Sequence, residues 1–476
     1  MNGTRGANGT SSLNGTSSLN GTSSLNGTSS LNGTSSLNGT SSLNGIRVTP
    51  EARTSCLQNG AQVATVRLPH VSRSHVVVML RGGPVCEDDG TWGLSHLVEH
   101  MVFRGTRDLP DARAVSLAAD SFGGELGGAT YRDRVVYDTR ADPGHELEAL
   151  ALISEMLGAP RFEGLAVERE VLREELLELT DDDGQEVDPD NIALRRLFNG
   201  HVLARSIEGT LETLQGFDDS SLRGFHDAAY GPEHMVIAVA GPISHRAMLD
   251  AARRTFGRLP PGRGIRPGRA PRRLPERRRA EVVRTDASQT SLRLCFPCDG
   301  LFGRDRYPLA ALSRILDDGP SSRFQANLID GEGLAYSLWC AVDLFEERGL
   351  LEVGAQVQHD RVGRVVEAIC HELAAIAKSP PRAAEMERVR ARVRRDLLDM
   401  RDDPALLADS VGRGVMVGLP FSPAEIAAEM SKVTPRQVMG AARRVVRPDG
   451  AVLVLVGRPP AREVRRAEEA LSAFPR

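Results

Sequence analysis

The hydrophobic pattern along the chain alternates between strand-like and helix-like segments. Short runs of β-branched and aliphatic residues predict buried strands, and apolar residues that recur every three to four positions predict helices. The predicted strands cover residues 63–68, 75–80, 135–139, 235–240, 289–296, 350–356 and 451–456. The predicted helices cover residues 93–104, 112–122, 146–157, 165–179, 220–229, 307–316, 361–377 and 382–398. Strands and helices interspersed in this way predict an α+β protein.

These segments form two similar successions, and each closes on a buried strand that ends in a glycine, Gly241 or Gly457. We therefore predict two related α+β halves, residues 46–257 and 281–476, each with a mixed β-sheet packed with helices. Residues 258–280 carry nine arginines together with several prolines and glycines, which is typical of a linker. Contact with nucleic acid is the alternative interpretation of this basic run.

The first 45 residues are a repeat of low complexity. The hexad N-G-T-S-S-L occurs six times in tandem from Asn8 to Leu43. One leucine per repeat buries too little apolar surface to offset the entropy lost on ordering, so we predict a disordered tail at residues 1–45. A β-solenoid is the alternative, but the Asn-Gly pairs favour turns and strand-forming residues are missing.

The composition is that of a soluble globular protein, with 41% hydrophobic and 26% charged residues. A net charge of -4 favours neither nucleic acid nor an anionic membrane as a partner. We see no membrane-spanning run and no secretory signal, so we expect a cytoplasmic protein. The six cysteines are scattered, which fits a reducing compartment. The one C-x-x-C pair, Cys295 and Cys298, falls in a predicted strand, and we interpret it as buried rather than as a redox or metal site.

The segment that carries chemistry is His96-Leu97-Val98-Glu99-His100. Residues three and four apart share a helix face, so His96, Glu99 and His100 project together. Two imidazoles one turn apart suit a tetrahedral zinc ion, and a carboxylate between them can serve as a base toward a water molecule. A surface cluster on an amphipathic helix is the alternative interpretation of the same string.

A zinc site of this kind needs a third protein ligand, and the predicted helix from residue 165 offers candidate glutamates between Glu168 and Glu175. Glu168 and Glu175 are seven residues apart and share a face, whereas Glu174 points about 100° away. We predict Glu175 as the ligand and Glu168 as a group that orients a ligand or balances its charge. Without the histidines, we would interpret this acidic helix as a solvated surface helix.

The string H-L-V-E-H-M-V-F-R-G-T at residues 96–106 resembles the zinc helix of the pitrilysin/insulinase family of metallopeptidases. It is most similar to the branch that holds mitochondrial processing peptidase and its bacterial relatives. That branch has a glutamate some 74 to 76 residues after the motif, and Glu175 follows His100 with 74 residues between them. The other matching stretches are residues 132–137, 207–210, 319–323 and 333–336.

The resemblance implies a clamshell of two α+β halves around a chamber that admits unfolded peptides. It implies one Zn²⁺ ion per chain, held by His96, His100 and Glu175, with Glu99 as the general base. The substrate peptide would add to an edge strand at about residues 127–133, which includes Gly128, Ala129 and Thr130.

The chain departs from the family pattern in two places. The edge strand of the family carries Asn-Ala-x-Thr, and the matching residues here are Gly-Gly-Ala-Thr at 127–130. In the second half, the family places an arginine seven residues before a tyrosine. Tyr336 matches the tyrosine, but Ile329 occupies the arginine position, and Arg323 is out of register. Because two-subunit members divide zinc and the Arg-Tyr pair between chains, we expect a related subunit as partner, or a homodimer.

Two functional hypotheses follow from these residues. The first is a zinc endopeptidase that cleaves unfolded peptides or trims the leader of one peptide. The second is a non-catalytic structural or binding subunit, as in some relatives, although those chains usually lack an intact zinc motif.

Overall fold

The computed structural model describes residues 42–43, 46–47, 52–262, 264, 280–419 and 423–473. The predicted disordered tail lies outside the described residues except for Ser42–Leu43. Most of the predicted linker also lies outside them. The boundaries of the two predicted halves therefore remain predictions.

Thirteen strands occur in the described part of the chain. They are β1 (Ser42–Leu43), β2 (Ile46–Arg47), β3 (Ala52–Cys56), β4 (Gln62–Arg67), β5 (Ser74–Arg81), β6 (Leu126–Tyr131), β7 (Arg134–Ala141), β8 (Met235–Gly241), β9 (Ala280–Val283), β10 (Thr290–Asp299), β11 (Ser337–Leu344), β12 (Arg348–Val357) and β13 (Val452–Val456). β1 and β2 form a short antiparallel pair of their own.

Fifteen α-helices occur in the same residues. They are α1 (Leu94–Met101), α2 (Ala112–Asp120), α3 (Glu146–Gly158), α4 (Leu165–Glu178), α5 (Pro189–Leu197), α6 (Leu211–Gly216), α7 (Asp219–Ala229), α8 (His245–Arg254), α9 (Arg306–Leu316), α10 (Val362–Lys378), α11 (Ala383–Arg401), α12 (Pro404–Val417), α13 (Pro423–Lys432), α14 (Pro435–Val445) and α15 (Ala461–Ser472). A π-helical segment covers Phe324–Gly331. None of the helices in these described ranges is both long and apolar enough to cross a bilayer.

The strands form two mixed sheets of matching topology. The first sheet has the order β3-β4-β8-β5-β7-β6, and the second has the order β9-β13-β10-β12-β11 when it is traced from its parallel pair. In each sheet one parallel pair, β4 with β8 or β9 with β13, is followed by antiparallel neighbours only. The strands β4 to β8 therefore correspond one by one to β9 to β13. This confirms the predicted α+β class with two mixed sheets packed with helices.

Each sheet is covered by a helix that lies on the other side of the linker in sequence. α12 packs against β4, β5 and β8 of the first sheet, while α5 packs against β10 and β13 of the second sheet. Gly412 allows the close approach of α12, because a Cβ there would lie 3.2 Å from both the Ala238 Cβ and the Met79 sulfur. One hydrophobic cluster consequently includes residues of both sheets.

Replacing Leu407 of α12 with alanine should lower the free energy of unfolding by about 2–5 kcal/mol, because it deletes a buried side chain from the cluster that joins the sheets. Leu406, the neighbouring residue, is 47% exposed, so Leu406→Ala should change the same quantity by less than about 0.5 kcal/mol. Urea denaturation of the two variants measures both values. Equal losses would contradict the packing of α12.

Candidate metal centre

Helix α1 begins at a fixed point because its N-terminus is anchored by a buried carboxylate. Glu87 accepts hydrogen bonds from the Gly93 amide at 2.9 Å and the Ser95 amide at 2.8 Å, and also from the Ser95 hydroxyl. These amides are among the donors that a helix start leaves unpaired. Gly93 has a φ of +92°, a conformation that glycine adopts without strain. Burial raises the pKa of Glu87 to about 7.

The apolar side of α1 packs into the core, and the polar side holds the motif. Leu97, Val98 and Met101 are fully buried. His96 and His100 lie side by side on the other face, with ring centroids 4.7 Å apart and ring planes at 84°. One potential ligand atom each from His96, Glu99 and His100 falls within a group less than 4.8 Å across. The helix spacing therefore brings the three side chains together as the sequence predicts.

Glu175 on α4 faces both histidines. Its Oε2 lies 3.8 Å from the His96 Nε2 and 3.9 Å from the His100 Nε2. Glu174 points elsewhere, is 72% exposed and lies 3.3 Å from the Arg173 guanidinium. The structure therefore places Glu175, rather than Glu174, beside the motif.

Glu168 lies about two turns before Glu175 on the same face of α4 and contacts the Nδ1 side of the His100 ring. Its Oε2 is 3.2 Å from the His100 Nδ1, and its Oε1 is 3.1 Å from the Arg104 guanidinium. Burial lowers the pKa of His100, but the hydrogen bond to Glu168 and the nearby carboxylates outweigh it and leave that pKa raised. Glu168 fixes the orientation of the imidazole, so that the Nε2 of His100 faces Glu175.

Glu99 is buried under strand β6. The Thr130 hydroxyl donates a hydrogen bond of 3.3 Å to the Glu99 Oε2. A Cβ on Gly128 would lie 2.2 Å from the Glu99 Oε1, so only glycine leaves room for this carboxylate. Burial raises the pKa of Glu99 to about 7, against the lowering effects of His100 and Thr130.

These donors fit a divalent metal of borderline softness. Burial, with the nearby His100, lowers the pKa of His96 to about 3, so its imidazole is neutral and has a lone pair to donate at neutral pH. Metal–ligand distances of about 2.1 Å place tetrahedral ligand atoms about 3.4 Å apart, close to the His–Glu175 separations of 3.8 and 3.9 Å. Those separations are too long for hydrogen bonds. Two imidazoles and a carboxylate form a ligand set that zinc accepts.

Strand β6 lies at the edge of the first sheet, with β7 on one side and no further strand on the other among the described residues. It contains Gly128, Ala129 and Thr130, and it ends at Tyr131, where a tight turn leads to Arg134. The predicted edge segment of residues 127–133 therefore includes this turn. Its outward amides and carbonyls are available to an extended chain.

Among the described residues of the second half, neither Ile329 nor Arg323 provides the arginine that would pair with Tyr336. Tyr336 is 89% exposed and has no hydrogen bond or ring contact with any described residue. Ile329 is half-buried and packs against the hydrophobic cluster. Arg323 is held by Glu385 at 2.8 Å and Glu372 at 3.3 Å. No described contact joins these residues to the histidines of α1.

Two residues beside the motif were missed by sequence reasoning. Glu87 caps α1, and Arg104 pairs with Glu168. An acidic residue shortly before a helix is a weak sign of a cap, and Arg104 lies one turn after His100 on the same side. Both signs were present in the sequence but were too general to single out these residues.

Two family models match the chain in succession. The model of the insulinase family, peptidase family M16, matches residues 62–211, and the model described as the peptidase M16 inactive domain matches residues 217–393. An uncharacterized zinc protease of Mycobacterium leprae (strain TN) is 32% identical over 326 residues, 67% of this chain and 72% of the relative. The chain belongs to peptidase family M16.

Other M16 relatives extend this result. The probable mitochondrial-processing peptidase subunit beta of Schizosaccharomyces pombe is 26% identical, over 83% of this M16 chain and 89% of that protein. The crystal structure of a Pseudomonas fluorescens protein described as a peptidase M16 inactive domain superposes with a TM-score of 0.77 at 20% identity. It covers 86% of this chain and 98% of that one. At that identity the likeness shows the fold alone.

Replacing Gly128 with alanine in this M16 chain should lower peptide hydrolysis by about 100-fold, because the new Cβ displaces the Glu99 carboxylate. Gly127→Ala is the matched control, since its Cβ meets the Asp138 carboxylate instead. Initial rates on a quenched peptide pool compare the two variants. A Gly128→Ala rate at or above that of Gly127→Ala would contradict the argument.

Proposed function

We propose that this M16 chain is a zinc metalloendopeptidase that hydrolyses peptide bonds in unfolded peptides or in the leader of one peptide precursor. The observation that carries the proposal is the convergence of the His96, His100 and Glu175 side chains beside the buried Glu99 carboxylate. The names of the zinc protease relatives support it.

His96, His100 and Glu175 would hold one zinc ion. The chemistry supplied by that ion when bound is polarisation of the scissile carbonyl and a lowered pKa of a water molecule. Glu168 and Arg104 keep the His100 ring in a fixed orientation through the contacts of 3.2 and 3.1 Å. A ring locked in this way loses little entropy on binding a ligand.

Glu99 acts as the general base. It takes a proton from the attacking water and delivers it to the leaving amine. Its buried position raises its pKa to about 7, which makes both proton uptake and release accessible near neutral pH. Thr130 holds one carboxylate oxygen and leaves the other free for the proton.

The substrate binds as an added strand along β6. The free edge at Gly128, Ala129 and Thr130 offers main-chain hydrogen bonds directly above Glu99. Only an extended peptide can pair with this edge, so the site selects unfolded chains over folded proteins. Gly128 sets how closely the peptide backbone approaches Glu99.

A second chain completes the peptide site. The Ile329 side chain cannot donate hydrogen bonds, and Arg323 forms ion pairs with Glu385 and Glu372. The chain would thus be the zinc-bearing subunit of a heterodimer whose partner supplies the Arg-Tyr pair, with a homodimer as the alternative. The exposed Tyr336 is free to contact peptide or partner. The S. pombe relative is itself described as a subunit.

A non-catalytic subunit is the competing function. The assembled His96, Glu99, His100 and Glu175 argue against it, since a purely structural subunit has no need to keep four polar side chains together beside its core.

Glu99→Gln should keep zinc and lower kcat on a quenched-peptide pool by about 10²–10⁴-fold, because the amide cannot accept the proton. Metal analysis and turnover by the zinc-loaded chain alone measure the two quantities. A variant as active as wild type would remove Glu99 from the base role. A folded, zinc-loaded wild type without turnover would instead indicate that the partner chain is required.

Glu175→Gln should weaken zinc binding by about 100-fold or more, because loss of a ligand costs more than loss of an outer partner, which is worth about 10–100-fold. Glu174→Gln is the matched control and should bind zinc as wild type does, since Glu174 is exposed and paired with Arg173. Competition with a chromogenic chelator gives both affinities. Equal affinities for the two variants would reject Glu175 as a ligand.

A further inference from the structure

A cavity with several charged lining residues lies in the C-terminal part of the chain, apart from the residues of the metal centre. It is bounded by α9, by the loop that follows this helix, and by α11, and it encloses about 260 Å³. Its polar lining includes Arg314, Ser321, Ser322, Arg388, Arg392 and Arg395. The proposed peptidase reaction uses none of them.

Three of these arginines form one face of α11. Arg388, Arg392 and Arg395 follow one another at spacings of four and three residues, so they line up along the helix. Across the described residues, neither Arg388 nor Arg392 has a carboxylate within 4 Å or a hydrogen-bond partner. Like charges at these spacings repel one another and destabilise a helix unless an anion lies between them.

The acidic groups of the cavity are already neutralised by other arginines. Asp318 pairs with Arg314 at 2.8 Å, and Glu385 pairs with Arg323 at 2.8 Å. Arg314 also binds Asp396 at 2.6 Å. Arg395 lies 3.9 Å from Asp399, so the positive charges of Arg388 and Arg392 are the ones in excess within the cavity.

The loop opposite α11 presents a buried hydroxyl without a partner. Ser322 is only 4% exposed, and its Oγ has no hydrogen-bond partner among the described residues. Leaving such a group unpaired costs about 1–3 kcal/mol, so an acceptor in the cavity would relieve the cost.

Gly319, in the same loop, leaves room for the Arg392 guanidinium. Gly319 has a φ of +82°, and a Cβ there would lie 2.1 Å from an Arg392 guanidinium nitrogen. Only glycine both adopts this backbone and lets the guanidinium lie over the loop. Arg392 of α11 and Ser322 of the loop therefore line the same cavity.

We propose that this cavity binds a phosphate group, either as the free anion or as a monoester. A phosphate carries nearly two negative charges and three strong acceptor oxygens at neutral pH, which matches two unpaired guanidiniums and one hydroxyl. A carboxylate would neutralise only one of the charges. The volume of about 260 Å³ admits a phosphate with a small organic part.

Titration calorimetry on the purified chain, with inorganic phosphate in one arm and O-phosphoserine in the other, tests the proposal. The variants are the double change Arg388→Gln with Arg392→Gln, the single change Ser322→Ala, and the control Arg394→Gln. Arg394 lies on the same helix about 200° around from Arg392, outside the cavity, and pairs with Glu387 at 3.3 Å.

We expect binding in at least one arm, a loss of about tenfold or more in the double variant, a smaller loss in Ser322→Ala, and no loss in Arg394→Gln. Binding of free phosphate assigns the site to the anion, and binding of the ester alone assigns it to a phosphorylated ligand. Both outcomes support the proposal. Absence of binding in both arms, or equal affinities for the double variant and wild type, overturns it. The readout needs neither zinc nor peptidase activity, so it stands apart from the proposed function.

Discussion

The structure depends on an exchange of helices between the two sheets. α12 buries the face of the first sheet, and α5 buries a face of the second, so neither sheet has a complete core without residues from the other side of the linker. Burial of apolar surface is the largest favourable term in folding, and here it is shared across both halves. α5 also reaches the candidate substrate edge, since Arg132 at the β6–β7 turn donates a 2.7 Å hydrogen bond to Asn191. The peptide edge of the first half is therefore held by the same helix that supports the second sheet.

The equivalence of β4–β8 with β9–β13 shows that one topology serves two purposes. By that equivalence, the edge strand β11 is the counterpart of β6. The candidate metal ligands and the candidate general base all lie in the first half, on α1 and α4, while the model matching residues 217–393 is described as inactive. The second half uses the same scaffold for packing and, as we propose, for an anion. The fold thus does not dictate the chemistry, which comes from a few side chains placed on it.

What the sequence predicted well is local. Helix geometry alone places His96, Glu99 and His100 on one face and points Glu175 and Glu174 in different directions, because it does not depend on distant residues. The roles of these residues as metal ligands or base stay predictions. The predicted buried strands also lie within a few residues of β4, β5, β8 and β13, since a run of β-branched and aliphatic residues is a local signal too. α5 and α12 were missed because their packing partners are far away in sequence. The sequence predicted two related halves from the succession of their elements, and the strand order shows the correspondence strand by strand, since pairing can persist when side chains diverge.

The contacts of Arg323 argue that it does not substitute for the arginine that the family pattern places at Ile329. Arg323 is the cation nearest in sequence to Ile329, but it contacts Glu385 and Glu372. Burial lowers the pKa of Arg323, but its hydrogen bonds to these carboxylates outweigh that effect and leave the pKa raised. Moving the guanidinium toward a peptide would leave the carboxylate of Glu385, whose side chain is 1% exposed, without its main counter-ion. Breaking a buried pair costs about 3–5 kcal/mol, more than a single new hydrogen bond to substrate returns. Arg323 is therefore not available to the proposed peptide site opposite β6, which supports the proposal that a partner chain supplies the cation there.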